Sequence, residues 1–445
     1  MRSLACASLA LGIVLAAASV GLAAAGPTNL LPNPSFEQGR ERPQGWLKFG
    51  TARCGWDFGG EDGERCVSVT GDGATAGWWY VIGGRPVRRN GLYRLSYWIR
   101  VVAEDPKQAV GVLVGLDHLH LATSAGERWE RKQAYFRAPS LPELGPRFGQ
   151  KSLKGAVYFD NVSLQPAIAV HRSAGAGEVM ALGRGERIQA GRYTAEHRLD
   201  EEGTNDRRFL DRYTAFYDGN RWLFEDQDEV VYHHEVAQLG VDALPPEHRS
   251  IAVEVEVGEC RGGALRVEFS RNGRTWLPVG LVQESGKTRL EVPEEYMQVV
   301  SPWIRLRSAI AGRVEIKSYR YTSTVAGGRD FDGIEGRSHY LAVVYQDPSL
   351  EVAVEDLSDL APGGHSEAGL RVTNGGERRN VEMVAAVERE GKEVARSEEK
   401  AWLAPGSSHR FHLGVEIGDA GGQTLRILAR DAASGRLLFM LEGEI

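Results

Sequence analysis

The chain has 445 residues, of which 42% are hydrophobic and 25% are charged, and this is the composition of a soluble globular protein. Its length exceeds that of one ordinary domain and favours about three. The formal net charge of −7 is modest and is not gathered into a basic patch or a lysine-rich tail, so we expect no nucleic-acid partner.

The first 25 residues are typical of an export signal that is later removed. Arg2 supplies the positive charge, residues 9–22 are almost entirely apolar, and residues 23–25 are small alanines suited to cleavage. The apolar run is short for a membrane span, and no second one follows. We therefore expect a secreted, periplasmic or cell-surface protein with no transmembrane segment after signal removal.

Export would leave three cysteines, Cys54, Cys66 and Cys260, in an oxidising compartment. Cys54 and Cys66 flank the turn-rich stretch of residues 59–63, so a hairpin could join them in a disulfide. Two reduced, buried thiols are the alternative. Cys260 would remain as an unpaired, buried thiol.

Residues 27–166 read as the first domain, and residues 93–101 are its clearest strand. Apolar and polar side chains alternate there, so one face is buried and the other carries Arg94, Ser96, Trp98 and Arg100. Further strands are expected near residues 129–136 and 156–164. We find no helical repeat.

Four segments of this domain occur in the order of a known family: Asn29–Gly39 with Gly45–Trp46, Asn90–Trp98, Glu127–Arg131 and Tyr158–Leu164. Together they resemble the CenC-type carbohydrate-binding modules, which have the galactose-binding-like jelly-roll fold. The resemblance implies a jelly roll over residues 27–166 whose partner is a polysaccharide or glycan.

Members of that family often hold a structural calcium ion near the paired ends of the jelly roll. Glu37 and Asp160 match the family's positions, one on each terminal strand, so the resemblance implies a calcium ion bound by both. The alternative is a solvated glutamate and a turn-capping aspartate.

Sugar binding needs a flat aromatic surface edged by polar groups. Trp98 lies on the polar face of its strand between Arg94 and Arg100, as expected for a stacking platform with flanking donors. Trp78 and Trp79 are adjacent, so they point to opposite faces of a strand and at least one lies outside the core. These five residues are the candidate ligand-binding set, and packing is the alternative for each tryptophan.

Three other tryptophans lie in the first domain. Trp56 follows Cys54 in a loop-like stretch and is a further candidate platform, again with packing as the alternative. Trp46 and Trp129 match structural positions of the family, so we expect both in the core.

Residues 175–325 read as a second β-sandwich, with alternating strands at residues 251–257 and 265–269. The hairpin Ser270–Trp276 resembles that of discoidin-like sandwiches, which implies a second galactose-binding-like fold. Residues 340–445 resemble an immunoglobulin-like module with regularly spaced short strands. The predicted fold class is therefore all-β, with three consecutive sandwiches.

Catalysis finds little support in the sequence. His233 and His234 are neighbours on a predicted strand, so they cannot both face one metal ion, and no nucleophile elbow, phosphate-binding loop or dinucleotide fingerprint occurs. We expect an exported, non-catalytic carbohydrate-binding protein. The alternatives are a glycoside hydrolase or polysaccharide lyase with a site around His197, His233 and Glu235, or a structural cell-envelope protein.

Overall fold

A computed structural model describes residues 26–27, 29–83, 85–104, 112–116, 119–121, 125–139, 143–175, 178–199, 205–236, 245–297, 299–326, 333–358, 365–418 and 422–445. The predicted export signal, residues 1–25, lies outside them. The described chain is all-β apart from turns, bends and a single-turn 3-10 helix at Glu294–Tyr296. Within these ranges, no helix is long and apolar enough to cross a membrane.

The chain divides into two compact units. One comprises residues 27–344 with residues 441–445, and it contains the first two sandwiches; the other comprises residues 345–440.

The first sandwich is built by strands whose alternating apolar side chains meet between two sheets. They are β1 (Gly26–Pro27), β2 (Trp46–Gly50), β3 (Arg53–Phe58), β4 (Arg65–Asp72), β5 (Ala76–Val81), β6 (Arg85–Pro86), β7 (Leu92–Ala103), β8 (Val112–Leu116), β9 (Leu119–Leu121), β10 (Glu130–Arg137), β11 (Glu143–Leu144), β12 (Arg147–Lys151) and β13 (Lys154–Gly175).

Sheet I has the order β3-β4-β13-β7-β10, and sheet II has the order β2-β5-β12-β8-β9. Every one of these pairings is antiparallel, and the chain passes repeatedly from one sheet to the other, as in a jelly roll. The core contains the inward face of β7 as predicted, and Trp46 is buried there between Phe36 and Phe148 as expected.

Strand β13 links the first sandwich to the second. It continues past the expected boundary at residue 166, and its residues 167–174 pair with β27. One uninterrupted strand therefore belongs to both sandwiches.

The second sandwich uses the strands that follow. They are β14 (Glu178–Met180), β15 (Glu186–Gln189), β16 (Arg192–Arg198), β17 (Leu210–Tyr213), β18 (Phe216–Tyr217), β19 (Trp222–Phe224), β20 (Glu229–His233), β21 (Glu247–Arg261), β22 (Ala264–Ser270), β23 (Leu277–Val282), β24 (Gly286–Glu291), β25 (Trp303–Ile310), β26 (Arg313–Ala326) and β27 (Ile334–Gln346). Sheet III has the order β24-β21-β26-β16-β15, and sheet IV has the order β17-β20-β25-β22-β23.

A buried ion pair lies inside the second sandwich. The Glu186 carboxylate accepts hydrogen bonds from Arg208 Nε at 2.8 Å and Nη2 at 2.7 Å, from Tyr193 Oη at 2.5 Å and from the Gly183 N–H at 2.6 Å. Because four donors surround the carboxylate, the charge is fully compensated despite its burial.

The third sandwich is formed by β28 (Leu350–Ser358), β29 (His365–Asn374), β30 (Arg379–Arg389), β31 (Lys392–Leu403), β32 (Ser408–Glu416) and β33 (Gln423–Asp431). The last strand, β34 (Leu437–Glu444), ends in residues 441–445 of the first unit. The order β28-β29-β32 makes one sheet, and β31-β30-β33 makes the sheet packed on it. The predicted all-β fold class with three consecutive sandwiches is thus confirmed.

The Glu186–Arg208 pair should be essential to the first unit. Glu186→Gln keeps the side-chain volume but leaves a buried guanidinium without its counter-charge, so we expect the free energy of unfolding to fall by about 3–5 kcal/mol. Urea unfolding of the whole chain measures this. As a control, Glu393→Gln, which removes an exposed partner of Arg396, should change stability by less than about 1 kcal/mol. Equal effects of the two variants would contradict a buried pair.

Candidate functional site

The outer face of sheet I carries a group of aromatic and polar side chains. Val157 and Phe159 of β13 point into the core, so Tyr158 points outward beside Arg100 of β7, its cross-strand partner. We call this surface the Trp98 face, and it consists of Trp98, Arg100, Trp129 and Tyr158, bordered by Asp57, Ser68 and Arg131.

Arg100 lies at the centre of the Trp98 face. Its guanidinium carbon is 4.4 Å from the ring centre of Tyr158 and 5.1 Å from that of Trp129, so two cation–π contacts hold it. Its Nε atom is buried and has no hydrogen-bond partner among the described residues. This guanidinium therefore has donor capacity that the described protein does not use.

Trp98 is half-buried and lies on the same face two residues before Arg100. Its cross-strand partners are Arg131 of β10 and Asp160 of β13. Among the described residues, no aromatic ring stacks on it. The ring thus supplies apolar surface next to an arginine on the same strand.

Asp57 and Ser68 form the polar border toward the edge strand β3. The Ser68 hydroxyl donates a short hydrogen bond to the Asp57 carboxylate. A Cβ at Gly55 would come within 2.6 Å of both side chains, so only glycine leaves room for this pair over β3.

Arg94 does not belong to the Trp98 face. Its prediction as a ligand-binding residue is therefore corrected. It is only 5% exposed, its Nη2 donates to Gln165 at 2.5 Å, and its Nη1 lies 3.7 Å from the Glu442 carboxylate. Nearby, Tyr135 stacks on Tyr340 at 4.8 Å. Residues distant in sequence therefore cover this end of the outer face.

Trp78 and Trp79 point to opposite faces as predicted, but neither lies on the Trp98 face. Trp79 is 2% exposed, and its indole N–H donates to the Ser68 carbonyl at 3.1 Å, so its role as a stacking platform is ruled out by burial. Trp78 lies on the outer face of sheet II, 5.0 Å from the ring of Phe49, which is 58% exposed. Arg147 lies over the Trp78 ring at 5.7 Å. This is a separate aromatic surface.

Trp129 and Trp56 lie in environments that differ from those predicted. Trp129 was expected in the core, but it is half-buried against Arg100 and directly precedes the first residue of β10. Trp56 lies on β3 rather than in a loop and packs against the core, with its indole N–H donating to the Phe36 carbonyl at 2.8 Å.

Tyr158 is an aromatic residue of the Trp98 face that was not among the predicted ligand-binding residues. The signal was available, because Tyr158 lies between the apolar residues Val157 and Phe159 in a predicted strand and must therefore face outward. What the alternation alone could not supply is its cross-strand partner, Arg100.

The expected disulfide between Cys54 and Cys66 is wrong in this structure, where both are free thiols. Cys54 is opposite Val69 and Cys66 is opposite Asp57, so the two cysteines are offset by three positions on neighbouring strands. They face opposite sides of the sheet, displaced by about 10 Å along it, whereas a disulfide needs Cα atoms within about 7 Å. Burial, with the nearby Asp160 and Asp57, raises the pKa of the Cys66 thiol to about 12.

Glu37 and Asp160 both hold the turn between β3 and β4. Glu37 Oε1 accepts from the N–H groups of Glu64 at 2.9 Å and Arg65 at 2.8 Å. Asp160 Oδ2 accepts from the N–H groups of Glu61 at 2.7 Å and Asp62 at 2.8 Å. Both carboxylates thus act on one turn, from the two terminal strand regions of the jelly roll.

Burial raises the pKa of Asp160 to about 6, partly offset by its backbone N–H donors. Among the described residues, no group of three or more His, Cys, Asp or Glu side chains could hold a metal ion. A calcium ion here would need backbone carbonyls for most of its ligands. Calcium at Glu37 and Asp160 stays a prediction.

Chelation tests the calcium prediction. If calcium bridges Glu37 and Asp160, a chelator should lower the melting temperature of the first unit by several degrees, because the ion binds only the folded state. Glu37→Gln should lower the melting temperature in calcium and remove the response to chelator. An unchanged melting temperature in chelator would rule the ion out.

The alternative enzyme site in the second sandwich is not assembled. His197 is buried inside the sandwich beside Trp222 and Tyr232, whereas His233 lies on the outer face of sheet IV, stacked on Trp303 at 3.9 Å. The backbone carbonyl of Glu235 accepts a hydrogen bond from Arg208 Nη2. The three predicted residues therefore do not converge on one surface.

Further histidines belong to the same core. His234 Nε2 contacts the Tyr319 hydroxyl at 2.8 Å, and His248 Nδ1 contacts the Ser323 hydroxyl at 2.8 Å. Burial lowers the pKa of His234 well below its ordinary value and that of His248 to about 3. These histidines are neutral packing residues at ordinary pH.

Neutral buried histidines make the first unit sensitive to acid. Between pH 6.5 and the lowered pKa, these histidines are protonated in the unfolded chain but stay neutral in the folded chain. The free energy of unfolding therefore falls as the pH falls. At pH 5, His248 alone should account for about 2 kcal/mol of this loss, and His248→Gln should remove that part.

The measurement is urea unfolding of both chains from pH 7 to 4.5. Asp160 has a raised pKa, so its effect on the free energy of unfolding has the opposite pH dependence, and this effect is the same in the parent chain and in His248→Gln. The difference in free energy of unfolding between these two chains is therefore compared at each pH. His412→Gln, at an exposed position, is the control and should not change the slope. Parallel pH profiles for His248→Gln and the parent chain would contradict the prediction.

Comparison with known proteins identifies no family. The chain matches no protein-family profile and no curated protein sequence. Among solved structures, it is similar to the N-terminal CBM22-1–CBM22-2 tandem domain of Xyn10C from Paenibacillus barcinonensis, with 12% identity, a TM-score of 0.26 and coverage of 68% of this chain and 100% of that one.

Two enzymes give weaker similarities. Bacteroides uniformis β-glucuronidase 2 shares 10% identity with a TM-score of 0.17 and coverage of 49% of this chain and 26% of the enzyme. A putative β-galactosidase from Bacteroides fragilis shares 11% identity with a TM-score of 0.16 and coverage of 48% and 32%. The chain thus spans about a third or less of these enzymes, and TM-scores this low assign neither a family nor a ligand.

Proposed function

We propose that the chain is an exported protein that binds a polysaccharide or glycan without cleaving it, through the Trp98 face of its first sandwich. One observation carries the proposal: a half-buried tryptophan lies beside an arginine that two aromatic rings hold in place and that has no acidic partner among the described residues.

Saccharide chemistry fits this arrangement. The C–H face of a pyranose packs on an aromatic ring, which Trp98 supplies, while its hydroxyl groups need donors and acceptors at the edge of that ring. Arg100 on the same strand and Arg131 across from Trp98 offer donors. The four CenC-like segments of the sequence support the same class of ligand.

A non-catalytic role is supported by the state of the carboxylates near the face. A glycosidase needs two carboxyl groups that reach the scissile bond. Asp160 is fully buried, and both of its oxygens accept backbone N–H groups, Oδ1 from Asn161 and Oδ2 from Glu61 and Asp62. Asp57 lies on β3, three strands away from Trp98, and its carboxylate accepts from Ser68, so neither carboxylate is placed for hydrolysis of a sugar stacked on Trp98.

The Trp78 surface on sheet II is a second candidate for the same function. Its support is the exposure of Phe49, since a large exposed apolar side chain next to another aromatic ring can form part of a binding surface. It offers fewer polar groups than the Trp98 face, and for that reason we place it second.

Glycan binding by residues 26–445 tests the proposal. A glycan array should give a signal that Trp98→Ala weakens about tenfold or more, because truncation removes the stacking surface. Trp402→Ala is a matched control, since Trp402 is 65% exposed on the third sandwich, and should bind as the parent does.

Three outcomes separate the alternatives. Loss of binding in Trp78→Ala but not in Trp98→Ala would move the site to sheet II. A folded chain that binds no glycan would contradict the proposed function and favour the structural cell-envelope protein. Reducing ends or unsaturated products released from a polysaccharide panel would favour the enzyme alternative.

A further inference from the structure

Building on the proposed function, we infer that the saccharide recognised by the Trp98 face is acidic, with the carboxylate of a uronic acid residue paired to the Arg100 guanidinium. The inference concerns the class of ligand, and it rests on how charge is arranged on this face.

Arg100 differs from two other partly buried arginines of the same unit, Arg208 and Arg305, each of which has an acidic partner. Arg208 has Glu186 at 2.7 Å, and Arg305 has Glu268 at 2.6 Å. Arg100 has no acidic partner among the described residues, and neither has the exposed Arg131 across from Trp98. The Trp98 face thus carries two positive charges without counter-charges.

The nearby carboxylates are already engaged. Ser68 donates to Asp57, and three backbone N–H groups donate to Asp160. Neither is within ion-pair distance of Arg100 in the described structure. An anion that neutralises Arg100 must therefore come from outside this part of the protein.

A half-buried arginine without a counter-charge is costly, because part of its hydration is lost and no hydrogen bond replaces it. The rings of Tyr158 and Trp129 offset part of that cost through cation–π contacts. They also restrict the guanidinium, so less side-chain entropy is lost when a ligand binds. The geometry is that of a preorganised anion site.

The carboxylate of a uronic acid suits this site better than a neutral hydroxyl. A guanidinium presents two parallel N–H groups that match the two oxygens of a carboxylate. Outward side chains two residues apart on a strand are about 6.6 Å apart, so a sugar stacked on Trp98 brings its substituents toward Arg100. One residue then supplies the stacking surface and the other the charge recognition.

The test compares two forms of one polymer on the unmodified residues 26–445. Polygalacturonate carries free carboxylates, and its methyl ester has the same backbone without the charge. Titration calorimetry should show at least tenfold weaker binding of the ester, and binding of the acid should weaken as salt is raised.

Variants assign the effect to the side chain. Arg100→Gln should bring the acid form down to the affinity of the ester, and Arg100→Lys should restore only part of the difference, because an ammonium lacks the forked geometry. Arg378→Gln is the matched control: Arg378 also lies over a tryptophan, Trp402, at 5.3 Å on the third sandwich, and should not alter binding.

The outcomes are distinguishable from those of the proposed function. Equal affinity for polygalacturonate and its ester would overturn the inference and leave glycan binding intact. Binding of dextran sulfate in place of polygalacturonate would overturn the carboxylate assignment. Equal binding of both polyanions that survives Arg100→Gln would mean unspecific charge attraction and would also overturn it. A folded chain that binds neither neutral nor acidic glycans would instead contradict the proposed function.

Discussion

The structure of the first unit depends on the pairing of β13 with β7. This pairing places Tyr158 opposite Arg100 and Asp160 opposite Trp98, and so it assembles the Trp98 face. Between Asp160 and Ser163 the register shifts, and Asn161 adopts a left-handed conformation with φ 42°. The bulge adds one residue to β13, so the inward alternation resumes at Val162. Since a one-residue slip would exchange the two faces of the strand, this register decides which side chains reach solvent.

The same strand explains why only half of the outer face remains open. After the bulge, β13 runs on to Gly175 and pairs with β27, which also carries Tyr340. Tyr340 and Glu442 then lie over the end of the face that holds Tyr135 and Arg94. One continuous strand therefore builds the Trp98 face at one end and brings in the elements that close its other end.

Local alternation predicted much of the fold and part of the site. The inward face of β7, the three sandwiches and the opposite orientations of Trp78 and Trp79 all follow from a period of two. Arg94 and Arg100 occupy equivalent places in that pattern, yet one is covered and the other is not. The difference comes from residues more than 200 positions away, and no local pattern encodes it. The predicted disulfide is wrong for a related reason. Turn residues indicate a hairpin, but they do not determine which residues of its two strands lie opposite each other.

Arg208 and Arg100 are arginines with different roles. Arg208 stabilises the fold, and Arg100 is the proposed contact for a ligand. Both lose hydration, and both need an anion or a ring to replace it. Arg208 pairs with the Glu186 carboxylate of its own sandwich. That carboxylate also accepts hydrogen bonds from the Tyr193 hydroxyl and the Gly183 N–H. Arg100 receives only two rings, which orient the guanidinium without neutralising it. A compensated charge adds to the stability of the folded chain, whereas an uncompensated charge held in a fixed orientation favours the binding of an external anion.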